Sequence, residues 1–353
     1  MDKMKIVVDD KIPYILPALQ TLADDVVAKA GSEINPKDVR DADILVVRTR
    51  TRCDETLLEN SRVRLIVTAT IGFDHLDTCY LDRAGIRWAN CPGCNATSVG
   101  QYVRNSLLAL HQDCGLDISN TTVGIVGVGH VGTAVWQALK PLITQGKGQL
   151  LLCDPLREPF TLNAEDCSRW CDLHEIQEQA DIITFHTPLT TDGPAPTHHL
   201  ADDAFMQGLQ HQPVIINAAR GGVIDEHALL RAMDQGIVSH AVIDTWEQEP
   251  HINSELLRRA FIATPHIAGY SADGKANATR MTLATICQFI GQPMRFEVKP
   301  PALPHDLVLS DDPATRTLQL YDPRTDSDRL KSSPEKFEWL RGHYPLRREQ
   351  AAN

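Results

Sequence analysis

Short apolar runs recur along most of the chain, and the stretches between them carry apolar residues at helical spacing. Runs at 4–9, 43–48, 64–69 and 86–89 predict four strands, with a helix over 13–23 that opens on Pro13. Val99, Val103, Leu107 and Leu110 recur at intervals of three and four, which predicts a helix over 96–111. Runs at 121–126, 150–153, 181–185, 214–217, 239–243 and 261–263 predict further strands. Helices are predicted over 133–139, ended by Pro141, and over 225–234 and 277–290. Apolar strands alternating with helices make an α/β pattern of parallel sheets covered on both faces. The pattern fades after Gly291, where residues 292–353 are rich in prolines and charges. Phe337, Leu340 and Tyr344 can form one apolar face of a short helix, which Gly342 weakens. This stretch is too short for a core of its own. It reads as a disordered tail or as an arm that folds on a partner subunit.

A chain of 353 residues holds two ordinary domains and a small appendage. The helix over 96–111 is expected to cross from the first domain to the second, and 277–290 to return. That gives a first domain of 1–95 plus 268–290, a second of 96–267 and a C-terminal segment of 291–353. The net charge of -12 argues against a nucleic-acid partner. No apolar run approaches a membrane span. The opening MDKMKIVVDD enters a strand without the apolar stretch of a signal peptide, so a cytoplasmic location is expected. Of nine cysteines, Cys91 and Cys94 form one C-x-x-C around Pro92-Gly93. No second pair or suitably spaced His follows, so no metal site is expected and the thiols read as structural.

The run at 121–126 feeds directly into Gly127-Val128-Gly129-His130-Val131-Gly132. This is G-x-G-x-x-G where a strand turns into a helix. The first glycine permits the tight turn, the second lets the backbone approach a pyrophosphate, and the third lets helix and strand pack closely. The helix N-terminus then offers its free N–H groups to the phosphates. Asp154 ends the next strand, where an acid accepts bonds from the ribose hydroxyls and repels a 2′-phosphate. NAD is therefore favoured over NADP, against the plainer reading that Asp154-Pro155 only ends a strand.

Three later strand ends carry candidate chemistry: Asn217-Ala218-Ala219-Arg220-Gly221, Asp244 through Glu249-Pro250, and Pro265-His266-Ile267. Ligands of open α/β sheets bind beyond the carboxyl ends of the strands. Singly, Arg220 could be a surface ion pair, Glu249 a solvated acid and His266 a strand-end residue. Together they suit oxidation of a secondary alcohol. An imidazole takes the hydroxyl proton, a carboxylate orients it, and a guanidinium holds a substrate carboxylate.

With His186-Thr187-Pro188-Leu189, these ordered motifs resemble the D-isomer-specific 2-hydroxyacid dehydrogenase family over residues 1 to about 290. The resemblance implies two Rossmann-like doubly wound parallel-sheet domains with a small C-terminal dimerisation segment, and so a homodimer. It implies Arg220, Glu249 and His266 as the catalytic set. It implies NAD contacts at Gly127, Gly129, His130, Val131, Gly132, Asp154, Thr187, Ala218, Ala219, Asp244 and Gly269. Substrate contacts would be Thr49, Thr70 and Tyr270, with substrate between the domains and closure excluding water.

Segments 67–75, 91–96, 152–155 and 266–270, and the tail around 320–322 and 337–349, match a branch of that family. The branch oxidises 4-phospho-D-erythronate to 2-oxo-3-hydroxy-4-phosphobutanoate on the route to pyridoxal phosphate. Arg48-Thr49-Arg50-Thr51-Arg52 could hold the phosphate, or could be a solvated strand end paired with Asp54 and Glu55; both readings stay open. The 144–149 loop is slightly expanded and the tail is short for that branch. The alternatives are a dehydrogenase for another D-2-hydroxy acid, such as 3-phosphoglycerate, and an NAD-sensing interaction protein. A pure sensor would need no proton acceptor.

Overall fold

Strands that read as unbroken apolar runs form the middle of two parallel sheets. The computed structural model describes residues 3–157, 167–302 and 308–349. The chain divides into two units: one of Met1–Asn95 with Ser271–Ala302, the other of Ala96–Tyr270 with the C-terminal stretch.

In the first unit, strands β1 (Lys5–Asp9), β2 (Asp25–Lys29), β3 (Ile44–Val47), β4 (Leu65–Thr68) and β5 (Arg87–Ala89) form one sheet in the order β2-β1-β3-β4-β5. All its pairings are parallel. Every residue of β3 and β4 is buried, as expected for strands covered on both faces. β2 was not predicted. It is an edge strand with no fully buried residue, so its sequence carries no core pattern. The helix Ala272–Ile290 starts earlier than the predicted 277, because Ser271 Oγ accepts the Gly274 N–H at 2.8 Å and caps it there. Ala276, Leu283 and Ile286 on that helix share a core with Ile6, Val8 and Ile44.

The second unit's strands are β6 (Thr122–Val126), β7 (Gln149–Cys153), β8 (Ser168–Trp170), β9 (Ile182–Phe185), β10 (Val214–Asn217), β11 (His240–Ile243) and β12 (Ile262–Ala263). Their order is β12-β11-β10-β9-β6-β7-β8, again all parallel. β8, another short edge strand, was also not predicted. The helix His130–Ile143 continues past Pro141, against expectation. The proline sits in the last turn, where it removes a single N–H bond, and fully buried Ile143 holds the turn in place. The long helix Ala96–Cys114 packs on it so closely that a Cβ on Gly100 would stand 2.9 Å from the Ala134 carbonyl oxygen.

The C-terminal stretch is neither a tail nor a separate unit. Helices Pro313–Leu320, Pro323–Ser332 and Phe337–Gly342 pack on the second unit of their own chain. Leu318 and Tyr321 enter one of its cores, and Leu330 and Phe337 the other. Its apolar residues are few, yet these four are nearly fully buried. Among the described residues, no helix is long and apolar enough to cross a membrane.

Candidate active site

The glycine loop lies at the carboxyl end of β6, and its glycines face different surroundings. Gly127 has φ +86°, and a Cβ there would meet the His186 and Thr187 backbone at 2.9 Å. A Cβ on Gly132 would stand 1.9 Å from the Gly127 carbonyl oxygen, so this glycine is fixed by helix–strand packing. Gly129 has nothing within 4 Å of its Cβ position. It is exposed at the start of the helix, on open space where a phosphate can approach the N–H groups. Asp154 ends β7 and accepts the Val128 N–H at 2.9 Å, which ties it to this loop.

Beyond β9, His186 shares a 2.9 Å hydrogen bond with Thr184 through Nε2, and burial pushes the ring down to about 3, so it is neutral. Its Nδ1 and the neighbouring Thr187 Oγ1 are buried without a partner. Orphaned polar atoms beside an open glycine cradle fit a bound dinucleotide.

The strand-end loops carry the proton chemistry. His266 follows β12 and faces Glu249, with Nδ1 at 2.9 Å from both Oε1 and Oε2. Its φ of 56° lies in the left-handed region, a cost of about 1 kcal/mol for a side chain of this kind. The surrounding bonds hold it there. The His266 N–H donates to the Asp244 carbonyl at 2.8 Å. The Asp244 carboxylate accepts the Ile267 and Ala268 N–H groups at 2.7 and 2.9 Å and the Thr264 hydroxyl at 2.6 Å. Burial raises the Asp244 carboxyl above its usual range, although the nearby His266 and these bonds pull the other way. Its two oxygens thus fasten the histidine loop.

Burial also opposes charge on Glu249. The hydrogen bond and charge of His266, the Trp246 N–H and the Arg341 guanidinium outweigh it and keep this carboxyl below the usual range. Glu249 is therefore ionised and accepts from the imidazole Nδ1–H. Arg220, just past β10, donates to the Ala219 carbonyl at 2.8 Å. Among the described residues no carboxylate lies within ion-pair distance of it, which argues against the surface-pair reading. Ala219 in turn donates its N–H to Asn217 Oδ1. A Cβ on Gly221 would stand 1.8 Å from the Trp246 carbonyl oxygen, so the Arg220 loop is packed against the loop that leads to Glu249.

In the first unit, Val47 of β3 pairs with Thr68 of β4, and Thr49 and Thr70 follow at matching positions. Thr49 is exposed. The Thr70 hydroxyl donates to the Gly72 carbonyl at 2.8 Å. The arginine stretch does not converge: Arg48 makes a two-pronged pair with fully buried Asp9 at 3.1 Å, and Arg52 pairs with Asp54 at 3.0 Å. At those two positions the ion-pairing reading holds. Burial raises the Cys91 and Cys94 thiols, Cys94 to about 12, so both are protonated structural groups at neutral pH.

Two arginines of the C-terminal stretch join the site unforeseen. Arg341 reaches Glu249, and buried Arg347 donates to the carbonyls of Ile267, Ala268 and Tyr270 at 3.1, 2.6 and 2.8 Å. Nothing in their local sequence marks them, since the contacts join residues 77 to 92 positions apart.

A glycine cradle ending on Asp154, beside a carboxylate-backed imidazole, defines an NAD-dependent dehydrogenase of hydroxy acids. The D-isomer-specific 2-hydroxyacid dehydrogenase NAD-binding domain matches residues 95–268. Erythronate-4-phosphate dehydrogenase of Bacteroides fragilis is 49% identical over 349 residues, covering 99% of this chain and 98% of that protein. The Bacteroides thetaiotaomicron enzyme of the same name is 50% identical over 350 residues, with the same coverage. Among solved structures, D-lactate dehydrogenase of Aquifex aeolicus with NAD and lactic acid superposes with a TM-score of 0.65 at 21% identity, covering 81% of this chain and 95% of that one. That likeness shows the fold alone. The chain belongs to the erythronate-4-phosphate dehydrogenases, within the D-isomer-specific 2-hydroxyacid dehydrogenase family.

Proposed function

We propose that the chain oxidises the 2-hydroxyl of 4-phospho-D-erythronate, giving 2-oxo-3-hydroxy-4-phosphobutanoate for pyridoxal phosphate synthesis. The observation that carries the reaction type is the 2.9 Å contact of His266 with Glu249 at the same carboxyl edge of the sheet as the glycine loop. The substrate follows from near-full-length likeness to enzymes of that name.

His266 Nε2 faces away from Glu249 and takes the hydroxyl proton, while the carboxylate on Nδ1 fixes the ring and its tautomer. Arg220 binds the substrate carboxylate and steadies charge developing on the carbinol oxygen. When bound, NAD would supply the acceptor for the hydride lost from C2. Gly127, Gly129, His130, Val131, Gly132 and Asp154 would hold it, with Thr187, Ala218, Ala219, Asp244 and Gly269. Thr49, Thr70 and Tyr270 are proposed substrate contacts. A phosphate group needs cations beyond Arg48 and Arg52, whose charges are matched. The reading includes a cytoplasmic location and a homodimer, the latter tested by sedimentation of the purified chain.

The deciding experiment compares NAD reduction with 4-phospho-D-erythronate and with 3-phosphoglycerate. Preference for the first by at least tenfold in kcat/KM is expected, about 1.4 kcal/mol of transition-state binding. Equal or reversed preference refutes the substrate.

A further inference from the structure

The stretch that composition sets apart reaches the proton acceptor. Helix Phe337–Gly342 is anchored by Phe337, 1% exposed, and just past it the Tyr344 hydroxyl donates to Asp326 at 2.8 Å. Between these anchors the Arg341 guanidinium lies 3.3 Å from Glu249 Oε2. The same side chain hydrogen-bonds Tyr270, and Glu338 stands 3.9 Å away. Arg341 and Glu249 are both largely shielded, at 21% and 18% side-chain exposure. A pair so placed is screened less than a surface one.

We propose that Arg341 is a positioning residue for the Glu249–His266 pair, so that the C-terminal stretch completes the active site of its own chain. The proposal rests on the reading of that pair as the proton-handling groups. Glu249 Oε1 accepts the Trp246 N–H at 3.1 Å, and both oxygens face one imidazole nitrogen. Without Arg341, the Trp246 N–H and the mobile imidazole itself are the donors left to the carboxylate, so its plane is held less firmly and the imidazole follows it. Arg341 fixes that plane. Its cation also opposes too firm a hold on the proton by Glu249, which eases proton return in the reverse direction. The other charged or titratable groups around the pair are Asp244, Tyr270 and Glu338, with Arg347 bonded to the loop's carbonyls. Arg341 already faces two carboxylates, which makes it a weaker site for a substrate anion than an unmatched arginine.

The test uses the full chain with Arg341→Met and Arg341→Lys, with Arg341→Gln in reserve if the Met variant melts below the assay temperature. In Arg341→Met, kcat is expected to fall about ten- to a hundredfold, the scale of a misplaced catalytic group, with KM for the hydroxy acid nearly unchanged. Arg341→Lys restores part of the loss. The acid limb of kcat/KM, which belongs to the coupled pair, moves to higher pH because a cation beside it is gone. Independently of turnover, carbon-13 NMR of the Glu249 carboxyl, assigned with Glu249→Gln, shows its titration midpoint rising in Arg341→Met. Wild-type kcat and an unmoved Glu249 midpoint overturn the proposal. A loss confined to KM with that midpoint unmoved overturns it too, and assigns Arg341 to substrate binding. If the unaltered chain turns over no hydroxy acid, the substrate reading fails, while the carboxyl titration still decides for or against Arg341.

Discussion

Substituting alanine at two glycines of one loop separates cofactor binding from packing. At Gly132 the added methyl would stand 1.9 Å from a backbone oxygen that cannot rotate away, so the helix His130–Ile143 must shift off β6. Overpacking of this kind costs about 1–3 kcal/mol and more where backbone is struck. In a unit of this size each kcal/mol lowers Tm by about 2–4 °C, so Gly132→Ala is expected to melt several degrees lower. At Gly129 the φ of -70° suits alanine and the methyl meets nothing, so stability should stay within about 0.5 kcal/mol. The methyl does fill the space over the helix N-terminus. Losing one or two charge-assisted N–H bonds to a pyrophosphate, at about 1.5–3 kcal/mol each, weakens NAD at least tenfold. Calorimetric titration with NAD and thermal melts of both variants give the two numbers. If Gly129→Ala binds NAD as the unaltered chain does, the loop is not the pyrophosphate cradle.

Three further outcomes follow from the geometry. His266→Ala should lose about 10²–10⁴-fold in kcat while its NAD affinity, read by fluorescence titration, is retained; near-normal turnover would remove His266 from the mechanism. His186 is held at about 3 against 6.5 when unfolded, so its contribution is whole above pH 6.5 and is lost as pH falls toward 3. Urea melts should show about 2 kcal/mol of loss between pH 6.5 and pH 5 from this group, absent in His186→Gln, and equal slopes in both proteins would contradict its burial as a neutral ring. Arg347→Ala leaves the Ile267, Ala268 and Tyr270 carbonyls without their buried donor. Its unfolding free energy should drop by about 3 kcal/mol or more, and a loss under about 1 kcal/mol would mean the loop holds without it.

The sequence by itself determined the elements buried on both faces, because such strands are continuous apolar runs: β3, β4 and β10 fall where the runs fall. It also marked Gly127 to Gly132, Asp154, Arg220, Glu249 and His266, because each lies in a loop just after a strand and parallel strands deliver their carboxyl ends to one edge. Edge strands β2 and β8 were hidden, since one open side leaves no core pattern. The C-terminal stretch was legible only as one weak face at Phe337, Leu340 and Tyr344; Leu318, Tyr321 and Leu330 gain their burial from the cores of the second unit. Only the tertiary structure spent Arg48 on Asp9 and brought Arg341 across 92 residues to Glu249. A charge's partner is set by which surfaces pack together, and short-range spacing carries no record of that.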